Sequence, residues 1–338
     1  MRKPEPLVEI LSTGRYLPDQ VVTNDDLSKR MDTTDEWIRT RTGIRERRIA
    51  PDKVTTADLG AEAARRAMQK AGIEAGEVDI VILCTSTPDR WLPATACDVQ
   101  AQLGCGNAFA FDVMAACTGF IYSLSVAEAY LAAGRGEIAL VIAAEKMSSI
   151  INWKDRATCV LFGDGAGAAV LRRSDGSGRG IVSSYMRSDG NLAELLCRPA
   201  GGVLEPITEC VLAEARHLVV MQGREIFKHA VRSMAEACDQ ALQQAGLTAH
   251  DVDLLVPHQA NVRILEATAK YAGLPMDKVF VNLDRYGNMS SASIPVALDE
   301  AQEQGRIGPG AHVLTVAFGA GLTWGSALLE WTDGRIAR

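Results

Sequence analysis

Short apolar runs alternate along the chain with stretches in which apolar residues recur every three or four positions. "VDIVILCTST" at 78–87, "NAFAFDVMAA" at 107–116, "IALVIAAEKM" at 138–147 and "VDLLVPH" at 252–258 are runs of strand length, almost free of charge. Such runs predict strands buried on both faces. "CTGFIYSLSVAEAYLAAG" at 117–134, "AVRSMAEACDQALQQAG" at 230–246 and "ANVRILEATAKYAG" at 260–273 have helical spacing and each closes on glycine. Glycine is the usual residue just past a helix end. Strands alternating with helices predict an α/β fold with much parallel sheet.

One pattern occurs twice. "AMQKAGIEAGEVDIV" at 67–81 and "ALQQAGLTAHDVDLL" at 241–255 both read as a helix ending in Ala-Gly, a short acidic turn and an apolar strand. The offset is 174 residues, about half of the 338-residue chain. Helix–glycine–strand units resemble one another in any α/β protein. The stronger implication is a duplicated fold, with two βαβ-type halves packed together.

Composition narrows the function classes. Charged residues make up 23% of the chain and its formal net charge is −7, which argues against general nucleic-acid binding. An acidic partner would need a local basic patch. No apolar run reaches the ~18 residues of a membrane span, and "MRKPEPLVEI" lacks the apolar block of a signal peptide. A cytoplasmic protein is therefore expected. The eight cysteines are scattered without a CxxC pair, so neither a disulfide framework nor a zinc site is expected. Most should be small buried hydrophobes.

Cys117 stands apart, because it lies between an expected strand and an expected helix among Ala115, Ala116 and Gly119. Unpaired amides at a helix start favour a thiolate, and small neighbours leave room for a substrate. A buried space-filling cysteine is the alternative. Of the five histidines, His258 alone ends an expected strand, in "PHQAN", where α/β ligand sites form. It reads equally as a helix cap. "YGNMSSASIP" at 286–295 predicts a tight turn into a helix, and Asn288 is either a turn residue or a hydrogen-bond donor to a substrate oxygen. The glycine-rich turn of "FGAGLTWGSALLEW" is either a hairpin or a source of oxyanion-binding amides. "FGDGAGAAV" opens no helix, so it is not read as a dinucleotide loop.

Taken together, "DVMAACTGF", "PHQAN", "YGNMSSASIP" and "FGAGLTWGSALL" resemble, in order and spacing, the β-ketoacyl-acyl carrier protein synthase III family. "TTDEWIRTRTGIRERRI" and "EKMSSIINWKDRATCVLFGDGAGAAVL" extend the resemblance from about Ile10 to Glu330. It implies a thiolase-like fold with duplicated halves in an α-β-α-β-α layered arrangement, in a homodimer. Residues 1–180 would form the half carrying the nucleophile, and 181–338 the half carrying the histidine and asparagine. It implies Cys117, His258 and Asn288 as catalytic residues, with backbone amides of Cys117 and Ala320 as the oxyanion site.

The implied reaction joins an acyl-CoA primer to malonyl-acyl carrier protein with loss of carbon dioxide, through an acyl-Cys117 intermediate, initiating fatty acid biosynthesis. It needs no metal or other cofactor. Thr33, Trp37, Arg41, Arg156 and Asn261 resemble CoA contacts, with Trp37 and Arg156 as the adenine sandwich. Leu92, Phe162, Met221, Gly223 and Phe318 would line the acyl pocket, Leu92 from the partner subunit. Lys228, Arg263 and Lys270 resemble the patch that meets the acidic carrier protein.

Three positions depart from the family's pattern: Leu92 stands where well-known members have an aromatic residue, the turn is Gly-Ala-Gly instead of Gly-Gly-Gly, and Tyr271 occupies a position that can be basic. Leu92 raises the expectation of a longer or branched primer. A hydroxymethylglutaryl-CoA synthase would want a carboxylate in place of Asn288, and a biosynthetic thiolase a second cysteine in "FGAGLTWGS". A condensing enzyme of secondary metabolism, or a non-catalytic acyl-CoA binder, are the remaining alternatives.

Overall fold

The computed structural model describes residues 6–174, 176 and 179–332. Strands β1 (Val8–Tyr16), β2 (Ile80–Cys84), β3 (Phe109–Val113), β4 (Ile138–Lys146) and β5 (Asp164–Arg173) form one sheet in the order β1-β5-β4-β2-β3. Strands β2, β3 and β4 are parallel, and β5 is antiparallel to both its neighbours. Strands β6 (Gly180–Ser188), β7 (Leu254–Pro257), β8 (His312–Gly319) and β9 (Thr323–Glu330) form a second sheet in the order β7-β8-β9-β6. A parallel bridge pairs Leu255 of β7 with Val279 on its other side. With Val279 in the place of β3, the second sheet repeats the order and directions of the first.

The helices repeat as well. α1 (Thr56–Ala71) and α2 (Thr95–Leu103) cover the outer face of the first sheet, as α4 (Gly223–Ala245) and α5 (Val262–Tyr271) cover that of the second. α3 (Gly119–Ala132) and α6 (Ser293–Glu303) lie between the sheets. The result is five layers, α-β-α-β-α. The repeated sequence pattern lies on equivalent elements: α1 and α4 end at left-handed Gly72 and Gly246, and each is followed by a capped 3₁₀ turn and then β2 or β7.

Burial on both faces explains the unbroken apolar runs. Ile80, Ile82 and Cys84 of β2 point into the core shared with α3 and α6, while Val81 and Leu83 point towards α1. The middle helices have little exposed surface, so polar groups there need partners. Every residue of α6 from Ser293 to Ala301 is buried. Its Asp299 is held by Arg15 and Lys70, both at 2.5 Å, and its Glu300 by Arg285 at 2.6 Å. Unpaired, such charges would be strongly destabilising.

Candidate active site

The duplication brings the chemistry together. In the first half, the chain leaves β3, passes Cys117 in a 3₁₀ turn and enters α3. In the second half, Asn288 lies just before the matching 3₁₀ turn, Ser290–Ala292, which leads into α6. His258 follows the carboxyl end of β7. All three open onto one cavity of about 790 Å³, within the usual size for small-molecule sites.

Cys117 is tightly held. Ala116 has φ 45°, an uncommon conformation for a residue with a side chain. The Thr118 and Thr323 hydroxyls meet at 2.7 Å, linking the cysteine turn to the β8–β9 hairpin. A Cβ on Gly319 would lie 2.8 Å from the Cys117 nitrogen, so only glycine lets the strand end come so close. This hairpin carries Ala320, which also lines the cavity. The glycine-rich turn is therefore both a hairpin and a wall of the site.

Burial pushes the Cys117 thiol up to about 12, opposed by its hydrogen bond to Ser290 Oγ at 3.5 Å. The stabilised thiolate expected from the helix start is thus not the resting state. Burial therefore disfavours the thiolate before a substrate binds. The proton must leave as a substrate arrives.

His258 is 3% exposed, and burial holds its imidazole down at about 4, so it is neutral at pH 7. Its Nδ1 lies 2.7 Å from Ser293 Oγ, and its backbone N–H donates to Val316 O at 2.7 Å. Gln259 anchors the segment: Nε2 donates to Pro257 O and Phe280 O, and Oε1 accepts from Asn282 N–H.

Asn288 is presented by Gly287, whose φ of 64° and close approach to Leu161 O suit glycine alone. Asn288 Oδ1 accepts the Ser290 N–H at 2.8 Å. That leaves the amide's NH₂ end as its free polar face. The site thus offers hydrogen-bond donors and no ionised group at His258 or Asn288, an arrangement suited to developing negative charge on oxygen.

Behind these residues lies Glu145, fully buried on β4. Its carboxylate accepts from Ser86 N–H, from the Thr85 and Thr87 hydroxyls, and from Ser291 Oγ at 2.7 Å. It ties the loop after β2 to the turn carrying Ser290. Sequence reasoning assigned nothing to Glu145, Ser290, Ser293, Gln259 or Gly319. All but Glu145 lie in the four segments that bear Cys117, His258, Asn288 and Ala320, and that proximity was the available signal.

The other expected positions divide. Phe162, Met221, Gly223 and Phe318 line the cavity, as do Trp37, Arg41 and Asn261 towards its mouth. Thr33 and Arg156 do not. The Arg156 guanidinium lies 5.2 Å from the Trp37 ring centre and binds Asp32. A base between them would need ~7 Å, two van der Waals contacts. The sandwich is closed on itself here, and Arg41 covers Trp37 at 4.6 Å.

Leu92 is 86% exposed and off the wall of its own chain's cavity. Lys228 on α4 pairs with Glu225, while Arg263 and Lys270 lie on the adjacent α5. No disulfide joins the cysteines, and five of the eight are buried.

A duplicated five-layer fold with a buried cysteine, a neutral histidine and an asparagine around one cavity defines a thiolase-like condensing enzyme. Two family models match the chain: 3-oxoacyl-[acyl-carrier-protein (ACP)] synthase III over residues 111–190, and the C-terminal part of the same family over residues 242–331. The chain is 51% identical to the β-ketoacyl-[acyl-carrier-protein] synthase III of Caldanaerobacter subterraneus subsp. tengcongensis, over 96% of this chain and 97% of that one. It is 52% identical to the corresponding enzyme of Roseiflexus castenholzii, over 96% and 98%. The crystal structure of 3-oxoacyl-[acyl-carrier-protein] synthase III from Aquifex aeolicus VF5 matches with a TM-score of 0.88 and 47% identity, covering 96% of this chain and all of that one. The chain belongs to the β-ketoacyl-acyl carrier protein synthase III family. It is an acyltransferase, and its activity is the condensation that initiates fatty acid biosynthesis.

Proposed function

We propose that Cys117 takes an acyl group from acyl-CoA and passes it to the carbanion formed by decarboxylation of malonyl-acyl carrier protein. One observation carries this: Cys117, His258 and Asn288 come from separate segments and converge on a single cavity. In the first step the Cys117 sulfur attacks the thioester carbonyl, the bond to the CoA sulfur breaks, and the cysteine's proton leaves with CoA. The carbonyl oxygen, negative in the transition state, is bound by the amides of Cys117 and Ala320. In the second step the malonyl carboxylate departs as carbon dioxide. The enolate oxygen left behind accepts hydrogen bonds from His258 Nε2–H and the Asn288 amide. Its carbon attacks the acyl-Cys117 carbonyl, and the cysteine sulfur leaves and takes up a proton from solvent, which restores the thiol. Storing the acyl group on Cys117 makes ping-pong kinetics the expected form.

The reaction calls for no metal or redox cofactor. Asn288 sits where a hydroxymethylglutaryl-CoA synthase would want a carboxylate. Trp37, Arg41 and Asn261 at the cavity mouth support CoA binding there, and Thr33 and Arg156 join them once Arg156 opens from Trp37. The adjacent α4 and α5 support Lys228, Arg263 and Lys270 as the carrier-protein surface, where steering is electrostatic.

A homodimer is supported by exposed apolar surface on the edge strand β3 and the residue after it, Phe109 (43% exposed) and Met114 (62%), and in the loop between β2 and α2, Trp91 (67%) and Leu92 (86%). Such a dimer would bring Leu92 to the partner's cavity, where a leucine favours a longer or branched primer. Free thiols suit a cytoplasmic location. The test is intact-protein mass after incubation with a panel of acyl-CoAs. An adduct on the native protein that is absent from Cys117→Ala is expected, and no adduct from any primer would overturn the acyl-enzyme step.

A further inference from the structure

The geometry around His258 also determines which ring nitrogen holds the proton. A neutral imidazole has one N–H and one bare nitrogen, and the partner of one decides the state of the other. The partner of Nδ1 is Ser293 Oγ, at 2.7 Å. The same oxygen accepts the Gln259 N–H at 3.3 Å. That amide can only donate, so it occupies acceptor capacity on Ser293 and leaves the hydroxyl hydrogen in need of an acceptor. Ser293 is fully buried, at the first turn of α6. Among the described residues the acceptor that meets it is His258 Nδ1. Were the proton on Nδ1, the serine oxygen would accept twice and its own hydrogen would be an unpaired buried donor.

We propose that Ser293 is the positioning residue of the site: its hydroxyl, oriented by the Gln259 amide, donates to His258 Nδ1 and places the ring proton on Nε2, facing the cavity. Each member of this chain is fixed. The His258 backbone is bonded to Val316, and the Gln259 side chain is bonded on three sides. The donor required for the enolate oxygen is therefore present before any substrate binds. This inference rests on the reading of His258 as a donor to substrate.

The test has a spectroscopic and a kinetic arm. The chain has five histidines, so protein labelled with ¹⁵N-histidine gives few ring signals, and His258→Gln identifies the relevant pair. At pH 7 the native protein should show a protonated Nε2 and a bare Nδ1 at His258, and Ser293→Ala should show both tautomers. A protonated Nδ1 in the native protein would overturn the proposal. In the kinetic arm, Ser293→Ala should acylate Cys117 within two-fold of the native rate. Its condensation kcat should fall about 10- to 100-fold, the range seen when hydrogen-bond partners that orient metal-binding histidines are removed, with KM for malonyl-carrier protein unchanged. Ser293→Thr should restore most of the loss. Equal loss in both half-reactions, or none in either, would count against the assignment. A native protein that never condenses malonyl-carrier protein would sink the functional reading and leave the tautomer measurement standing.

Discussion

Gly319→Ala is the most direct probe of the contact between the two halves. The added Cβ would meet Cys117 N at 2.8 Å, Cys117 Cβ at 3.1 Å and Cys117 Cα at 3.3 Å. These neighbours belong to the nucleophile's own backbone and first side-chain carbon, so no flexible group can swing away. Gly319 is not in the left-handed region, so alanine fits its backbone and the penalty is contact alone. Restoring an ordinary 3.4 Å contact requires the strand end and the Cys117 amide to part by about 0.6 Å. A 1 Å misplacement can cost about 10²-fold in rate, so acylation should slow roughly 10- to 100-fold. Overpacking should lower stability by about 1–3 kcal/mol. The assay is the time course of the Cys117 adduct by intact mass at saturating acyl-CoA, with thermal unfolding recorded in parallel. Gly308→Ala is the control, since its added Cβ meets nothing within 4 Å. Acylation of Gly319→Ala within two-fold of native would refute the argument that this strand end sets the position of the Cys117 amide.

Asn288→Asp keeps the acceptor for the Ser290 N–H but replaces a donor by a carboxylate. Condensation should fall by about 10²–10³-fold while Cys117 acylation persists, and comparable loss of both would refute the division of roles. His258 has a folded-state value of about 4 against 6.5 when exposed, so the unfolded chain binds more protons between those values. Its contribution to stability is therefore complete above pH 6.5 and is lost as pH falls through 4, up to about 3 kcal/mol. His258→Gln removes this loss, so its melting temperature should gain on that of the native protein between pH 7 and pH 4. Parallel pH profiles would contradict it. Arg47 is fully buried and donates to Val22 O, Asn24 Oδ1 and Val160 O. Arg47→Met strands these acceptors and should destabilise by about 3 kcal/mol or more in denaturant titration; a change below about 1 kcal/mol would show that they find other partners.

The architecture was largely legible because local pattern and burial agree. "VDIVILC" and "VDLLVP" became β2 and β7, and the Ala-Gly helix ends became the left-handed caps of α1 and α4. "FGDGAGAAV" opens no helix, as expected, and runs into β5 instead. The site was legible in part. The segments around Cys117, His258, Asn288 and Ala320 could each be singled out, but a buried cysteine, a capping histidine and a turn asparagine have the same local signatures. Glu145 carries no signal at all, because a carboxylate on a strand looks the same whether it meets solvent or five hydrogen bonds. The thiolate expected at Cys117 is opposed for a related reason: helix-start amides are a local feature, whereas the desolvation that raises the thiol comes from the whole fold.

By itself, the sequence determined which residues form strands and helices, the two-fold repetition of those elements, and the residue types available for chemistry. Those follow from periodicity and from turn and cap preferences within a few positions of each residue. Tertiary structure alone decided that Gly319 abuts Cys117, 202 positions away, that His258 is neutral, and that Ser293 meets its Nδ1. Each is a property of atoms that the fold brings together from distant positions, Gly319 and Cys117 from the two different halves and Ser293 and His258 from separate elements of the second. Desolvation and hydrogen-bond direction depend on those neighbours, which a linear chain does not name.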